Sequence, residues 1–481
     1  MKKIKISIIL MILLGLGACS DEFFEVNTPS NVIDKDAVSV KTQLPYIEVR
    51  LSGMHFSVAY QTARYAQHVA SYHIGGTDTH DRTSLAGAWS TFYLRILSNL
   101  RVLQEKAEAN EYNHYLGISQ VLEALAVQLA TDQWGDIPYS EAGYTSDNFY
   151  PKVDSQEEIY NALLTLLDKA IANLSAPLKG IPPGNDDVIY HGNIDKWLKA
   201  AYTLKARIYL HLTKRNPSYY NDVLNALQNG FTSVHDDMQI FYDETARNPW
   251  FTSVVAARRT GNLSLLWSEQ LIDYMNGTDI PFTNISWDPR LPLYADNSGS
   301  EIYIGAVNGS GGGAPGGGNA NANLADDAYF KEDAPIFMLT YMEAKFMEAE
   351  AQFALGNNAG AFAAYQEGIR ASMAKLNIPS GDIQMYLDEP AVNTGEANLT
   401  MKDIMMQKYI ALVVHPEVWT DLRRYNFDPN IYVDLDYPEN RTTDIPMGEW
   451  PRRAVYPGSE VDRNPNVDQV EEWWARLWWD Q

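Results

Sequence analysis

Cysteine is almost absent from this chain of 481 residues, which contains only Cys19. A disulfide within the chain is therefore excluded. Basic residues are also scarce: 37 Lys and Arg stand against 61 Asp and Glu, and the formal net charge is −24. Nucleic acid is a poor partner for such a chain, because phosphate binding needs clustered Lys and Arg. No apolar run reaches the roughly 18 residues that a membrane-spanning helix needs.

Motifs for metal binding and nucleotide binding are missing as well. The sequence has no H-E-x-x-H, no Cys/His cluster, no G-x-S-x-G and no Walker loop. A G-x-G-x-x-G match at 311–316 neither follows a predicted strand nor opens a helix, so we interpret it as a loop. His73 and His80 share a polar loop with Asp78 and Asp81. A metal site there is the alternative to a solvated or ligand-binding loop.

Acid pairs leave one enzymatic alternative open. Asp326–Asp327 and Asp434/Asp436 have the residue types of a glycosidase, whose acid and nucleophile lie about 5 to 9 Å apart. Such pairs are expected by chance in a chain with 61 acidic residues. The sequence therefore predicts a protein that is not an enzyme and has no catalytic residues, no cofactor and no resident metal.

The amino terminus predicts export and lipid anchoring. Three lysines within the first five residues precede the short apolar run 6–16, which together are typical of a signal peptide. The run ends at Gly17-Ala18-Cys19, which resembles a bacterial lipobox whose cysteine is acylated. We predict a signal peptide over 1–18, lipidation of Cys19 and a polar tether over 19–40. The acidic residues after Cys19 resemble the export tag of surface lipoproteins in Bacteroidetes.

Apolar residues recur three and four positions apart over most of the chain, which predicts amphipathic helices that pack on one another. The predicted helices are 86–108, 112–133, 156–174, 194–213, 218–229, 264–276, 335–355, 359–376, 400–414 and 417–425. Ser155 followed by Glu158 marks one start, and Gly230, Gly277 and Gly356 mark stops. The fold class is therefore predicted to be mainly α.

The predicted helices come in pairs with short connections. In the pair 335–355/359–376, small residues such as Ala349 and Ala361 accompany Tyr365, which resembles tetratricopeptide packing. Two long segments, 278–333 and 426–470, lack helical periodicity, and loops of this length usually carry function. We predict a single large helical domain over 41–481, with tetratricopeptide-like helix pairs and long irregular loops.

Five stretches, taken in order, resemble the SusD/RagB family, closest to its SusD-like second branch. They include the turn Asp132-Gln133-Trp134-Gly135-Asp136-Ile137-Pro138-Tyr139 after a helix, and the helical stretch from Lys196 to Leu210. The others run from Pro335 to Ala351, from Gln407 to Arg424, and from Pro451 to Asn464. Physically these stretches are interpreted as scaffold, with Glu343, Glu348 and Glu350 in ion pairs and Arg423-Arg424 tying a helix to loops.

The resemblance implies a function. Members of the family lie on the outer membrane over a TonB-dependent, SusC-like transporter, act as a lid, and bind oligosaccharides or polysaccharides without cleaving them. The expected partners are this transporter, a glycan ligand and the outer membrane reached through the lipid anchor. The alternative is a peptide-binding lid of a RagAB-type peptide importer. A purely structural repeat scaffold is a third possibility.

Candidate ligand-binding residues are chosen on physical grounds, because the family has no fixed ligand motif. Sugar rings stack on aromatic faces, and sugar hydroxyls bond to Asp, Asn and Arg side chains. The candidates on the predicted loops are Asp78, His80, Arg82, Trp89, Trp287, Tyr294 and Tyr303. Trp89 lies in helical register with Phe92 and Tyr93, so a core position is its alternative. Trp474 and Trp478, four residues apart, form either a partner surface or a packed face.

Overall fold

The computed structural model describes residues 38–143, 148–297, 299–311 and 322–481. The predicted signal peptide, Cys19 and the tether as far as residue 37 lie outside the described residues, as does most of the glycine-rich match at 311–316. Within the described ranges, no helix combines the length and the apolar character that crossing a bilayer demands.

Helices make up most of the described chain and confirm the predicted class. They are α1 (Val40–Tyr65), α2 (Ala86–Thr91), α3 (Ser98–Ala109), α4 (Asn113–Trp134), α5 (Gln156–Ser175), α6 (Ile194–His211), α7 (Tyr219–Leu227), α8 (Ala257–Arg259), α9 (Glu269–Met275), α10 (Leu291–Tyr294), α11 (Tyr341–Ala354), α12 (Asn358–Lys375), α13 (Ser380–Leu387), α14 (Met401–Ala411), α15 (Pro416–Arg424) and α16 (Gly458–Val461). Single 3-10 turns lie at Gly76–Thr79, Leu212–Lys214, Val234–Asp236, Ala328–Phe330 and Trp478–Asp480. Phe92–Leu97 and Phe251–Ala256 are π-helical and run into α3 and α8.

The strands of the described ranges are short and pair antiparallel in twos. They are β1 (Val69–Ser71), β2 (Met238–Ile240), β3 (Leu265–Trp267), β4 (Ala295–Asp296), β5 (Asn323–Leu324) and β6 (Ile336–Leu339). β1 pairs with β3, with Val69 opposite Trp267, while β2 pairs with β6 and β4 with β5. These pairs fasten loops to the helical body.

Consecutive helices pack as antiparallel pairs, as the small residues predicted. α11 packs against α12, α4 against α5 and α6 against α7. At the α11–α12 crossing, a Cβ on Gly368 would lie 2.9 Å from the ring of Phe346, so only glycine allows this approach. The predicted start at Ser155 is a capping box, in which Ser155 and Glu158 bond reciprocally.

Buried ion pairs cross-link the helices. Arg207 on α6 forms a bidentate pair with Glu343 on α11, with Nη2 2.6 Å from Oε2. Arg424 on α15 bonds to Glu350, and Arg423 donates from Nη1 to the carbonyl of Asp132 at 2.6 Å. The scaffold role predicted for Glu343, Glu350 and the Arg423-Arg424 pair is therefore confirmed. Glu348 differs, since it pairs with Lys345 on its own helix.

Four parts of the chain differ from the prediction. α1 was not predicted, because buried polar residues such as Gln43, Glu48 and His55 interrupt its apolar pattern. The predicted helices 264–276 and 335–355 begin as strands β3 and β6, since a short buried apolar run fits either element. The carboxy-terminal tryptophans do not share one α-helical face, because Trp474 lies in a turn and Trp478 begins a single 3-10 turn. Trp479 is buried, and the ring of Trp478 packs against that of Tyr160 at 6.1 Å.

Candidate functional site

A concave surface site, here named the acidic cleft, lies where α9 meets two loops. Its volume is about 270 Å³. It is lined by Gln67, Ser268, Glu269, Gln270, Asp273, Thr278, Asp279, Val307, Asn308, Asp434, Asp436, Tyr437 and Pro438. The cleft thus joins the end of α1, the start of α9 and residues from both long non-helical segments of the sequence.

The wall of the cleft is built where the segment 304–306 approaches α9. The amide of Ala306 donates to the carbonyl of Trp267 at 2.8 Å, and the amide of Glu269 donates to the carbonyl of Ala306 at 2.9 Å. A Cβ on Gly305 would lie 2.3 Å from Cα of Glu269, so glycine is required at this crossing. β1 pairs with β3, and this pairing fixes the position at which α9 begins.

Asp78 lies beneath the cleft and fixes Asn308 and Gly309, which form its floor, through hydrogen bonds. Its carboxylate accepts from Nδ2 of Asn308 at 2.7 Å and from the amide of Gly309 at 2.8 Å. The carbonyl of Asn308 in turn accepts from the amide of Glu439 at 2.8 Å, which fastens the second loop. Burial raises the pKa of Asp78 despite these hydrogen bonds. Asp78 is 1% exposed and therefore positions the floor without reaching the surface.

Five carboxyl groups line the cleft and repel one another. They belong to Glu269, Asp273, Asp279, Asp434 and Asp436, and no Lys or Arg stands among the described residues that line it. Burial, the facing carboxyl of Asp434 and the charges of Asp273 and Glu269 raise the pKa of Asp279 to about 7. Oδ2 of Asp279 is shielded from solvent, and no described residue donates a hydrogen bond to it.

The ring of Tyr437 lines the cleft, and a second aromatic pair outside this lining is linked to it through Asn276. Tyr437 stacks on Trp450 at 4.7 Å, and Trp450 stacks on Phe427 at 4.7 Å, which stiffens the second loop. In the second pair, Trp287 and Tyr303 meet edge to face at 5.5 Å.

Asn276 links this pair to the cleft. Its Nδ2 donates to the carbonyl of Tyr303 at 3.3 Å and to Oδ1 of Asp273 at 2.9 Å. Both rings of the Trp287–Tyr303 pair are half-buried. Two of the predicted candidates are therefore brought together beside the cleft.

The other candidates are placed differently. Trp89 is buried against Trp134 at 5.0 Å, in the core position that its helical register allowed. Tyr294 is 1% exposed, whereas Arg82 lies on the surface. His80 is buried beside Trp450, and burial lowers the pKa of its imidazole to about 3, so the ring is neutral. As ligand contacts, these residues remain predictions.

Sequence reasoning did not find the acids of α9 and its following turn. Glu269, Asp273 and Asp279 stand about 160 residues before Asp434 and Asp436, and only the latter two are close enough in sequence to be recognised as a pair. The one local signal was the spacing of Glu269 and Asp273 by four positions, which places both on one helical face. Nothing local indicates that this face meets the loop at 434–438.

A second cluster of titratable groups lies in the core. Asp132, His211 and Glu417 bring one ligand atom each within 4.8 Å of one another. Nε2 of His211 lies 2.8 Å from Glu417, and Nδ1 lies 3.4 Å from Asp132. Although burial opposes ionisation, Arg207 and His211 hold the pKa of Glu417 well below its ordinary value. The charge of Arg207 and hydrogen bonds between these side chains satisfy the polar groups of the cluster. We therefore assign the cluster to the scaffold that joins α4, α6 and α15.

Comparison with known protein families identifies the family of this chain. The SusD-like family of the second type, described as starch-binding and associating with the outer membrane, matches residues 38–457. The chain belongs to this SusD-like family. Four of the five sequence stretches that carried the resemblance fall within the matched range, and the fifth extends seven residues beyond it.

Solved SusD-like structures share the fold over nearly their whole length. A chitin-binding protein is 21% identical with a TM-score of 0.73, covering 92% of this chain and 100% of its own. A SusD/RagB family protein from Bacteroides thetaiotaomicron is 22% identical with a TM-score of 0.73, covering 92% and 99%. A chitin-binding SusD homolog from Flavobacterium johnsoniae is 20% identical with a TM-score of 0.72, covering 92% and 98%. A comparison with curated proteins finds no match.

Proposed function

We propose that this SusD-like protein captures oligosaccharides at the cell surface, leaves them uncleaved and passes them to a SusC-like TonB-dependent transporter. The observation that carries the proposal is the acidic cleft, a concave site in which acceptor oxygens lie beside the half-buried ring of Tyr437. Small-molecule sites are concave and combine apolar walls with a few convergent polar groups. Cys19 supplies the lipid anchor in this proposal, since several acyl chains hold a soluble body at a membrane.

Saccharide chemistry matches the groups around the cleft. Sugar hydroxyls donate to carboxylates, and the apolar CH face of a sugar ring packs on an aromatic side chain. The Trp287–Tyr303 pair offers such a ring surface, which Asn276 joins to Asp273. The family description as starch-binding and the two chitin-binding relatives support the same ligand class.

The geometry of the carboxyl groups favours binding over cleavage. Burial, together with a hydrogen bond and charge repulsion between the neighbouring carboxyl groups of Asp279 and Asp434, raises the pKa of Asp279 to about 7. A glycosidase keeps its two carboxyl groups about 5 to 9 Å apart, so that the scissile bond or a water fits between them. We therefore propose that these acids hold a ligand and do not cut it.

Titration calorimetry against a panel of oligosaccharides tests the proposal. We expect dissociation constants in the micromolar-to-millimolar range, typical of shallow sites. Trp287→Ala should weaken binding about tenfold, because it removes the ring surface beside the cleft. Phe149→Ala is the matched control, since Phe149 is 81% exposed on a different loop and does not line the cleft.

Two results would contradict glycan capture. Release of reducing ends that disappears in Asp434→Asn would indicate a glycosidase. Binding of mixed peptides with no response to any saccharide would favour the peptide-importer alternative.

A further inference from the structure

Building on the proposed function, we propose that this protein has a second saccharide site, which takes a neutral sugar ring. The site is a pocket between the segments 234–241, 327–335 and 374–377, here named the β2 pocket. Its volume is about 520 Å³, against about 270 Å³ for the acidic cleft, and the two share no lining residue. Small-molecule sites of proteins occupy about 300 to 1,000 Å³.

Phe241 presents an aromatic ring at this pocket. The residue directly follows β2 and is 67% exposed, whereas Ile240 before it is 4% exposed. Because β2 pairs with β6, with Ile240 opposite Ile336, the backbone next to the ring is fixed. Single exposed apolar residues are common on protein surfaces, but Phe241 borders a concavity that a ligand can fill.

Aliphatic side chains add to the surface that this ring provides. Leu293, Pro335 and Leu376 line the same pocket, come from three different segments and are each half-buried. The CH face of a sugar ring is apolar and packs on aromatic and aliphatic side chains. The β2 pocket therefore offers an apolar surface on which one face of a sugar ring can pack.

Lys375 orients an amide group in the pocket. Its Nζ donates to Oε1 of Gln239 at 2.9 Å and to Oδ2 of Asp237 at 2.6 Å. Because an ammonium group only donates, it binds the oxygen of the Gln239 amide and leaves Nε2 directed elsewhere. No described residue accepts a hydrogen bond from this Nε2, and Gln239 is half-buried. Its N–H groups are therefore available to a ligand.

Three exposed polar side chains complete the set. Asn377 follows the end of α12, and its amide forms no hydrogen bond with a described side chain or backbone group, so it offers a donor and an acceptor. Asp333 adds acceptor oxygens, and His235 adds an imidazole that both donates and accepts in its neutral form. Sugar hydroxyls, which also donate and accept, match this mixture, whereas a purely apolar ligand would leave it unpaired.

The lysines of the β2 pocket are already paired, which favours a neutral ligand. Lys331 pairs with Asp327 at 2.9 Å, and Lys375 pairs with Asp237 at 2.6 Å. An anionic ligand would compete with these carboxylates for the two ammonium groups. A cationic ligand would find Asp333, an exposed carboxylate whose attraction is weakened by water and salt.

Two saccharide sites on one body change what the protein prefers. A polymer that is bound at one site and spans both brings its other units to the second site at high effective concentration. Its apparent affinity then exceeds that of a short oligomer without any new contact. The β2 pocket thus adds a preference for polysaccharide over free oligosaccharide to the proposed capture function.

Calorimetry of the full chain with maltohexaose and with the N-acetylglucosamine hexamer tests the second site. We expect the hexamer that binds to occupy two sites per chain in the parent and one site in Phe241→Ala. Phe241→Tyr keeps an aromatic ring and should keep both sites. Because Phe241 is largely exposed, thermal melting should show Phe241→Ala to be as stable as the parent.

Affinity electrophoresis in gels that contain amylopectin or glycol chitin measures the effect on polymers. Phe241→Ala should weaken the apparent affinity for the polymer about tenfold and change the hexamer affinity of the remaining site less than about twofold. Phe149→Ala is the matched control and should change neither, because Phe149 is 81% exposed and lines neither the acidic cleft nor the β2 pocket.

The outcomes separate this inference from the proposed function. One bound hexamer per chain in the parent overturns the second site and leaves glycan capture standing. Equal polymer affinity of Phe241→Ala and the parent, or equal losses in Phe241→Ala and Phe149→Ala, does the same. Binding of mixed peptides without binding of any saccharide overturns the proposed function and the second site together.

Discussion

At the scale of single residues, the carboxyl groups in and beneath the acidic cleft differ in burial and in hydrogen bonding. Asp78 is buried beneath the floor and fixes Asn308 and Gly309, whereas Asp279 faces Asp434 without a cation. Both are acids in a chain rich in acids, so composition alone does not separate a buried positioning residue from a carboxyl group that lines the cleft. Their distinct roles come from burial and hydrogen bonding.

Asp279 is expected to make stability depend on pH. Because its folded-state pKa is raised to about 7, the folded state binds a proton that the unfolded chain releases at lower pH. Stability contributed by the protonated form is therefore lost as pH rises from about 4 through 7. The Asp279→Asn variant does not suffer this loss. The melting temperature of the variant minus that of the parent should therefore be about 1 to 3 °C larger at pH 8 than at pH 5.

Differential scanning fluorimetry across this pH range measures the effect. Asp468→Asn, on an exposed segment, serves as the control. A difference between Asp279→Asn and the parent that does not grow with pH would contradict the raised pKa.

Arg290 is expected to be a determinant of stability. It forms a fully buried pair with Asp288, with Nη2 2.6 Å from Oδ2, and Nη1 donates to Ser372 at 2.9 Å. Arg290→Met leaves the Asp288 carboxylate buried without a counter-charge, which should cost about 3 to 5 kcal/mol. The midpoint of urea unfolding measures this loss.

The double variant Asp288→Asn/Arg290→Met is the informative companion. It should recover part of the lost stability, because no charge is then left buried alone. Arg370→Met breaks a surface pair with Glu367 and should leave the midpoint unchanged. Equal effects of Arg290→Met and Arg370→Met would refute the role given to the buried pair.

At the scale of elements, the sequence predicted the long helices well and the short strands poorly. α5 and α12 have clear apolar faces or small-residue stripes, so their existence follows from local pattern. β3 and β6 consist of three and four buried residues whose strand form depends on partners far along the chain. The cleft is built from such elements, because β1, β3 and the 304–306 segment set its walls.

The turn at Gly309 is expected to be essential to the cleft. Its φ is +77°, and a Cβ there would lie 1.8 Å from the carbonyl oxygen of Glu439. Gly309→Ala should therefore displace the 437–440 loop, lower the melting temperature and weaken ligand binding. Calorimetry and thermal melting together record both effects.

Gly261→Ala is the matched control for backbone strain alone. Gly261 has a φ of +80°, and a Cβ added there would have nothing within 4 Å, so the substitution meets strain but no clash. It should cost about 1 to 2 kcal/mol and leave ligand affinity unchanged. Similar affinity losses in both variants would show that contact with Glu439 is not what shapes the cleft.

At the scale of the whole molecule, ion pairs fasten the carboxy-terminal segment to the helical body. The carboxy terminus closes this body, since Asp480 accepts from Lys214 at 2.8 Å and pairs with Arg452 at 2.5 Å. In the proposed arrangement, the opposite end of the chain attaches the body to the membrane through Cys19.

Cys19→Ala tests this attachment. The parent protein should partition into the detergent phase of a Triton X-114 extraction, because each buried CH₂ of an acyl chain contributes about 0.8 kcal/mol. The variant should partition into the aqueous phase while keeping the same oligosaccharide affinity. Aqueous partitioning of the parent protein purified from membranes would rule out lipidation.

The sequence by itself determined the helical class, the pairing of helices and the family, because amphipathic periodicity and close-packed small residues are local properties. It also indicated that function belongs to the long non-helical segments. Only the tertiary structure decided which acids meet, since Asp279 and Asp434 are 155 positions apart and their encounter depends on how β3, α9 and the 434–438 loop pack. Tertiary packing also placed Trp89 and Tyr294 in the core. It left the acids of the cleft without a Lys or Arg among the described residues that line it.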